Sequence, residues 1–321
     1  MRLTILGAGP VGLASAAMAG ARGHGVTLWS PRGGGTRGIR DAVLAEGQLN
    51  GRFPVLVAAD LGRALADAEV VLLAVPGHAQ GQVMRRVAAV VQGAPAMLVA
   101  PATSLSPLLL DRLLVARGIR APIAALATPP MTARRLGGDR VWIGAIRRTV
   151  WLGAVPAAAT ARLVPLVTAL FGVPAEPLAD ALAAALADLM PLLHAAQALA
   201  PALGPAGQAD PAALARLLAA LTAERDALAA AFGHRLPDAQ HFMADVGGLP
   251  APEPERALAE APHALSFLLA LGRAAQVAMP VAEATLTLLE VLGGRTLRGN
   301  AILAELDPKT LARQLQLGAA A

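Results

Sequence analysis

Short apolar runs alternate with stretches of helical periodicity over the first half of the chain. The clearest runs are residues 2–6, 26–29, 69–75, 96–100 and 123–127. Runs this short and continuously apolar are typical of parallel strands that are buried on both faces. Alternation with helices therefore predicts a doubly wound α/β domain with a parallel sheet. Two further runs, 141–145 and 150–154, predict a hairpin that closes this sheet.

From about residue 180 the strand pattern stops, and long alanine- and leucine-rich stretches continue to the end of the chain. We therefore expect a mainly α-helical second domain. A chain of 321 residues is long enough for about two domains. We place the Rossmann-like domain at residues 1–176 and the helical domain at residues 177–321.

Composition removes several classes of function. The net charge of +5 comes almost wholly from arginines spread along the chain. The sequence has no basic run with interleaved aromatics, so we do not expect nucleic-acid binding. Mean hydropathy is +0.55, but the two uncharged stretches, 87–110 and 189–209, contain several prolines that favour bent, buried segments. We expect no membrane span. Without a signal-peptide pattern, we expect a cytoplasmic protein.

A glycine-rich turn follows the first strand directly. Its residues are Gly7, Ala8, Gly9, Pro10, Val11 and Gly12. In a strand–turn–helix context this GxGxxG spacing is the fingerprint of a dinucleotide site, because glycines permit the tight turn and the close approach of a pyrophosphate to the helix N-terminus. We expect the cofactor to contact Gly7, Gly9, Pro10, Val11 and Gly12. The alternative is a turn that binds nothing.

The end of the second strand distinguishes NAD from NADP. NAD sites usually carry Asp or Glu there, but this chain has Ser30 and Arg32 and no carboxylate before Asp41. We therefore expect NADP to be favoured over NAD, with Ser30 and Arg32 at the 2′-phosphate. The alternative is that Arg32 is only a solvated loop residue.

The chain has one lysine, Lys309, and neither tyrosine nor cysteine. A lysine-based mechanism is therefore not expected, and a cysteine nucleophile, a zinc–thiolate site and a disulfide are excluded. Acid/base chemistry must fall to histidine, carboxylate or water.

Several segments, taken in order, resemble the octopine/nopaline (opine) dehydrogenase family. They are the GAGPVG start, the strand–proline turn at Val75-Pro76, the loop 128–135, the segment Asp188–His194, and the segments near 260–262, 271–273, 279–280 and 294–297. The N-terminal half is also similar to glycerol-3-phosphate dehydrogenases and ketopantoate reductases. Those two families rely on an active-site lysine that this chain does not offer there.

The resemblance implies roles for particular residues. It makes His194 the catalytic acid/base and Glu260 the carboxylate that orients it, and it adds Val75 and Pro76 to the cofactor site. The chain departs from the family pattern at Asp188, Met190 and Glu260, and His263 replaces an aromatic residue, which makes it a second candidate proton carrier at the substrate. Arg134 and Arg135 are expected to bind substrate carboxylates.

The leading interpretation is an NADP-dependent oxidoreductase. It would condense the amine of an amino acid with a 2-oxo acid and reduce the imine, or run in reverse. The alternatives are a dehydrogenase or reductase of 2-hydroxy or 2-oxo acids on the same scaffold, and a non-catalytic NADP-binding sensor. The expected partners are small molecules, and we allow for a homodimer.

Overall fold

A computed structural model of the chain describes residues 1–203, 210–244 and 254–306. Lys309 lies outside the described residues. The chain divides into two units, Met1–Ala185 with Ala244–Gly247 and Leu186–Met243 with Gly248–Ala321. The boundary that we placed at residue 176 falls within the last strand of the first unit.

Strands are confined to the first unit within the described parts of the chain. They are β1 (Arg2–Leu6), β2 (Gly25–Trp29), β3 (Ala42–Gly47), β4 (Gly51–Pro54), β5 (Leu56–Val57), β6 (Val70–Leu73), β7 (Ala96–Val99), β8 (Ile123–Leu126), β9 (Met131–Gly137), β10 (Arg140–Ile146), β11 (Val150–Val155) and β12 (Ala175–Pro177).

The helices of the first unit separate these strands, whereas those of the second unit follow one another. They are α1 (Pro10–Ala21), α2 (Leu61–Leu65), α3 (Gly77–Val90), α4 (Ser106–Val115), α5 (Thr160–Phe171), α6 (Ala181–Ala187), α7 (Met190–Leu203), α8 (Pro211–Ala231), α9 (Ala239–Ala244), α10 (Pro254–Ala275), α11 (Pro280–Gly293) and α12 (Ala301–Glu305). Short 3₁₀ turns span Thr103–Leu105 and Ala157–Ala159.

The main sheet has the strand order β12-β11-β8-β7-β6-β1-β2-β5. β1 pairs in parallel with β2 on one side and with β6 on the other. The strand order therefore reverses at β1, and the crevice beyond the carboxyl ends of β1 and β6 is where doubly wound sheets bind ligands. The predicted fold class, a Rossmann-like parallel sheet followed by a mainly helical region, is confirmed.

The predicted closing hairpin is wrong, because its two strands belong to different sheets. β10 pairs with β9 and β3 in a second sheet of order β4-β3-β10-β9, whereas β11 pairs with β8 and β12 in the main sheet. Burial gives the physical reason. β10 alternates between buried and more exposed positions, as expected in a sheet with one covered face, and β11 is buried throughout.

The second sheet covers α1. This helix contacts β1 and β2 of the main sheet and also β3, β4, β9 and β10. It is buried from Gly12 to Ala19, and most of its side chains are no larger than alanine. A helix that is apolar on every face belongs in a core. The small side chains allow α1 to pack closely against both sheets.

In the second unit, α7, α8, α10 and α11 pack against one another through leucine and alanine side chains such as Leu221, Leu265 and Leu286. One segment, Ala181–Leu199, is apolar enough to cross a membrane by length and composition, with a mean hydropathy of 1.4. Of its apolar window, 67% is buried inside the protein, as in a core helix.

At the C-terminal ends of α10 and α11, introducing a glycine and removing one should have opposite effects on the free energy of unfolding. Gln276 follows α10 with a φ of 56°, and Gly294 follows α11 with a φ of 61°. Because this left-handed conformation strains every residue with a Cβ, Gln276→Gly should raise the free energy of unfolding by about 1 kcal/mol. Gly294→Ala, which meets no atom within 4 Å, should lower it by a similar amount. Urea unfolding followed by circular dichroism measures both changes, and equal effects of the two substitutions would contradict this account.

Candidate functional site

The glycine-rich turn is fixed by close contacts at its two ends. Gly7 has a φ of 126°, and its N–H donates to the carbonyl of Trp29 at 2.8 Å. A Cβ on Gly7 would lie 2.3 Å from the carbonyl oxygen of Ala74, and a Cβ on Gly12 would lie 1.9 Å from that of Gly7. Neither position tolerates a side chain without a shift of backbone. The turn is therefore held against the carboxyl ends of β1, β2 and β6.

Gly9, between these two glycines, faces open space. A Cβ there would meet no heavy atom within 4 Å. Gly9 is the N-cap residue of α1, no side chain caps this helix, and Pro10 occupies its first turn. The first N–H groups of a helix seek an acceptor, and an uncapped N-terminus beside a glycine suits a phosphate. The residues present therefore fit the pyrophosphate of a dinucleotide.

The loop after β2 presents an unengaged cation. The Oγ of Ser30 accepts a hydrogen bond from the backbone N–H of Gly35 at 3.1 Å, which shapes the loop. Arg32 is exposed and makes no hydrogen bond or ion pair with any part of the chain that the structure describes. Arg37 is also exposed on this loop. Ser30 thus supports the loop, while Arg32 is the side chain that is available to a ligand.

Arg86, on α3, supports the same loop and was not among the predicted residues. Its Nη1 donates to the carbonyl of Pro31 at 3.0 Å, and its guanidinium carbon lies 4.6 Å from the centroid of the Trp29 ring. The contact spans 55 positions of sequence. The only sequence signal is an arginine on the polar face of a helix, which by itself does not indicate a partner.

A buried amide joins the ends of β6 and β7. The Nε2 of Gln80 donates to the carbonyls of Val75 at 3.3 Å and of Pro101 at 3.0 Å. Pro76 directly precedes α3, so the chain enters a helix at Gly77, immediately after the strand–proline turn. Val75 is buried and a Cβ on Gly7 would lie 3.0 Å from its Cγ1, which places the strand–proline turn beside the glycine-rich turn.

Arg134 and Arg135 lie on β9, so the prediction that they belong to a loop is wrong. Arg135 donates from Nη1 to the carbonyl of Ala8 at 2.8 Å and from Nη2 to that of Gly138. This arginine therefore braces the glycine-rich turn. Arg134 is exposed, with its guanidinium carbon 5.7 Å from the Trp142 ring centroid. Substrate binding by either residue stays a prediction.

In the second unit the predicted contact between His194 and Glu260 is confirmed. Nδ1 of His194, on α7, lies 2.5 Å from Oε2 of Glu260, on α10. An ionised carboxylate can only accept, so Nδ1 carries the proton. His194 is 7% exposed, and its Nε2 makes no hydrogen bond within the described parts of the chain. The arrangement leaves one imidazole nitrogen for acid/base chemistry. The catalytic roles of both residues stay predictions.

The departure from the family pattern at Asp188 has a local explanation. Oδ1 of Asp188 accepts from the N–H of Met190 at 2.9 Å, at the start of α7. Asp and Asn cap helices about equally well, so aspartate at this position preserves the start of the helix that carries His194. His263 is half-buried on α10, three residues after Glu260.

The sequence of residues 2–102 matches the family described as NAD-dependent glycerol-3-phosphate dehydrogenase N-terminus. A glycerol-3-phosphate dehydrogenase [NAD(P)+] of Geobacillus thermodenitrificans (strain NG80-2) is 38% identical over 108 residues, which are 33% of this chain and 31% of that enzyme. The chain therefore matches about a third of the length of this curated relative.

Solved structures are similar over nearly the whole chain. Octopine dehydrogenase in complex with NADH and agmatine has a TM-score of 0.72 at 16% identity, covering 92% of this chain and 90% of that one. Octopine dehydrogenase with NADH and pyruvate has a TM-score of 0.72 at 17% identity, covering 91% of this chain and 88% of that one. The PanE/ApbA family ketopantoate reductase of Ralstonia eutropha JMP134 has a TM-score of 0.69 at 20% identity, covering 92% of this chain and 99% of that one. The expected resemblance is confirmed as a likeness of fold.

Addition of a methyl group should affect the free energy of unfolding differently at Gly12 and at Gly9. Gly12→Ala should lower the free energy of unfolding by about 1–3 kcal/mol, because its Cβ would overlap the Gly7 carbonyl. Gly9→Ala, with open space around its Cβ, should change stability by less than about 0.5 kcal/mol. Thermal unfolding of both variants tests this, and a destabilised Gly9→Ala would show that the space at Gly9 is closed in solution.

Proposed function

We propose that this chain is an NADP-dependent oxidoreductase of the opine dehydrogenase type. It joins the amine of an amino acid to a 2-oxo acid and reduces the resulting imine, or carries out the reverse reaction. His194 serves as acid/base, and Glu260 orients it. The cytoplasmic location and the homodimer stay predictions.

The hydrogen bond between His194 and Glu260 is the observation that carries this proposal. Reduction of an imine or a ketone needs a proton donor at nitrogen or oxygen, and histidine exchanges protons near neutral pH. The carboxylate accepts a hydrogen bond from Nδ1–H and so fixes the tautomer. Nε2 is then the nitrogen that donates the proton during reduction and takes it back during oxidation.

The glycine-rich turn supports a dinucleotide cofactor. Gly9 leaves room for the pyrophosphate, the N–H groups at the start of α1 are available to its oxygens, and Gly7 and Gly12 keep the turn tight. Arg32 supplies a cation where NAD sites usually carry an acid, which supports NADP over NAD. When bound, the cofactor supplies the hydride; the chain supplies the proton through His194.

The two substrates are proposed from the solved relatives. Octopine dehydrogenase has been crystallised with agmatine, an amine, and with pyruvate, a 2-oxo acid. The likeness to a ketopantoate reductase favours reduction of a 2-oxo acid as the second candidate. A screen of NADPH oxidation with amino acids against pyruvate, oxaloacetate, glyoxylate and 2-oxoglutarate separates them. Turnover that requires the amine supports the proposal, and turnover without the amine supports the second candidate. If no pair of substrates is turned over, the result favours a non-catalytic NADP-binding sensor.

The cofactor preference has a direct test. Calorimetric titration should show tighter binding of NADPH than of NADH. Arg32→Ala should weaken NADPH binding by roughly 1.5–3 kcal/mol, through loss of a charge-assisted phosphate contact, and leave NADH nearly unchanged. Arg63→Ala, which removes another exposed arginine of the same unit, is the matched control and should change neither.

Gly9→Val completes this test, because its branched side chain would occupy the approach of the pyrophosphate. The variant should remain folded and lose both cofactors. Equal affinity of the wild-type protein for NADPH and NADH would refute the preference, and normal binding by Gly9→Val would refute the site itself.

The acid/base assignment predicts graded losses. His194→Ala should lower turnover by about 10²-fold or more, with NADPH affinity preserved, since the imidazole is assigned to proton transfer. Glu260→Gln should cause a smaller loss, because it orients the imidazole and does not itself transfer the proton. Steady-state kinetics with the pair of substrates found in the screen measures both. Full activity of His194→Ala would move the assignment to His263.

A further inference from the structure

Residues 294–300, here called the buckle, connect α11 to α12 and are bound tightly to α11. Arg298 donates from Nη1 to Oε1 of Glu283 at 2.5 Å, from Nε to Oε2 of Glu290 at 3.1 Å, and from Nη2 to Oγ1 of Thr287 at 2.9 Å. Oε1 of Glu290 accepts from the backbone N–H of Leu297 at 2.8 Å, which lowers the pKa of Glu290. The buckle therefore has a defined conformation against α11.

The same segment is bound to α10. Nδ2 of Asn300 donates to the carbonyl of Pro262 at 3.0 Å, and Oγ of Ser266 donates to the carbonyl of Leu297 at 3.0 Å. Asn300 is only 9% exposed. Its Oδ1 also accepts from the N–H groups of Ile302 at 3.1 Å and Leu303 at 3.0 Å, which caps α12. One amide thus performs two separable tasks: its oxygen caps a helix, and its nitrogen holds α10.

Asn300 contacts α10 at a turn where a proline interrupts the helical hydrogen bonds. Pro262 lies inside α10, and a proline has no N–H for the helical ladder and crowds the preceding turn. Glu260 lies two residues before Pro262, on the turn that proline perturbs. A side chain on such a turn needs external support if it is to stay 2.5 Å from a histidine on another helix.

We propose that Asn300 is a positioning residue for the His194–Glu260 pair. Its Nδ2 fixes the carbonyl of Pro262 and so the turn of α10 that carries Glu260, while the buckle fixes Asn300 relative to α11. Without this bond the turn relaxes, and Glu260 no longer holds the imidazole in place. The proposal rests on the proposed function, because it assigns Asn300 to the same acid/base pair.

Two substitutions at Asn300 separate the hydrogen bond to the Pro262 carbonyl from the capping of α12. Serine and aspartate both keep an oxygen that can cap α12, but neither donates as Nδ2 does to the Pro262 carbonyl. Asn300→Ser should therefore unfold near the wild-type temperature, whereas Asn300→Asp should unfold below it, because its carboxylate would be buried against the Pro262 carbonyl. Both should lower kcat by about 10- to 100-fold, the effect of a displaced catalytic group. The Kd for NADPH should not change. Because the serine is neutral, agreement between the two variants excludes an effect of added charge.

Asp210→Ala is the matched control for loss of a cap. Oδ1 of Asp210 accepts from the N–H of Ala212 at 2.9 Å and caps α8 in the same unit. This variant should lose stability and keep its kcat. If Asn300→Ser keeps wild-type kcat, or loses activity only in proportion to stability as Asp210→Ala does, the proposal is overturned.

A measurement without turnover distinguishes this proposal from the proposed function. In protein labelled with ¹³C at histidine Cε1, the His194 resonance is assigned by its absence in His194→Ala. It should shift in Asn300→Ser and Asn300→Asp and stay unchanged in Asp210→Ala. A shift in a protein that oxidises no NADPH would support the positioning role and refute the proposed function. An unchanged resonance in an active enzyme would refute the positioning role alone.

Discussion

The function proposed for the second unit depends on the hydrogen bond between Nδ1 of His194 and Glu260. This bond joins two helices whose residues are 66 positions apart, at 2.5 Å, and it assigns the two imidazole nitrogens different tasks. Nδ1 is held by the carboxylate, and Nε2 is left for a proton.

In the first unit the corresponding constraint is close packing. α1 lies between two sheets and begins at a turn where two of the glycines have no room for a Cβ. The small side chains of α1 follow from this geometry, since larger ones would separate the helix from the sheets. The same constraint keeps the start of α1 uncapped and open at Gly9, which is what a phosphate requires.

Local patterns were enough to predict the main sheet and the glycine-rich turn, because each strand and turn is specified by adjacent residues. The second sheet was missed. β3 and β10 pair in parallel although their paired residues are 96 positions apart, and neither segment carries a local signal that identifies the other as its partner. The arginines show the same limit. The hydrogen bond from Arg135 to the Ala8 carbonyl was not predicted, and Arg86 was overlooked because its partners, Trp29 and Pro31, are distant in sequence.

The contact between His194 and Glu260 was predicted only through a family resemblance, since no periodicity relates the two residues. The central claim is that His194, oriented by Glu260, transfers the proton, and the pH dependence of kcat/KM for NADPH-driven reduction tests it most directly. Reduction needs the imidazolium, so the rate should fall at high pH. In His194→Ala this alkaline limb should disappear, and in Glu260→Gln kcat/KM should fall because the imidazole is no longer oriented. An alkaline limb that is the same in all three proteins would contradict the account.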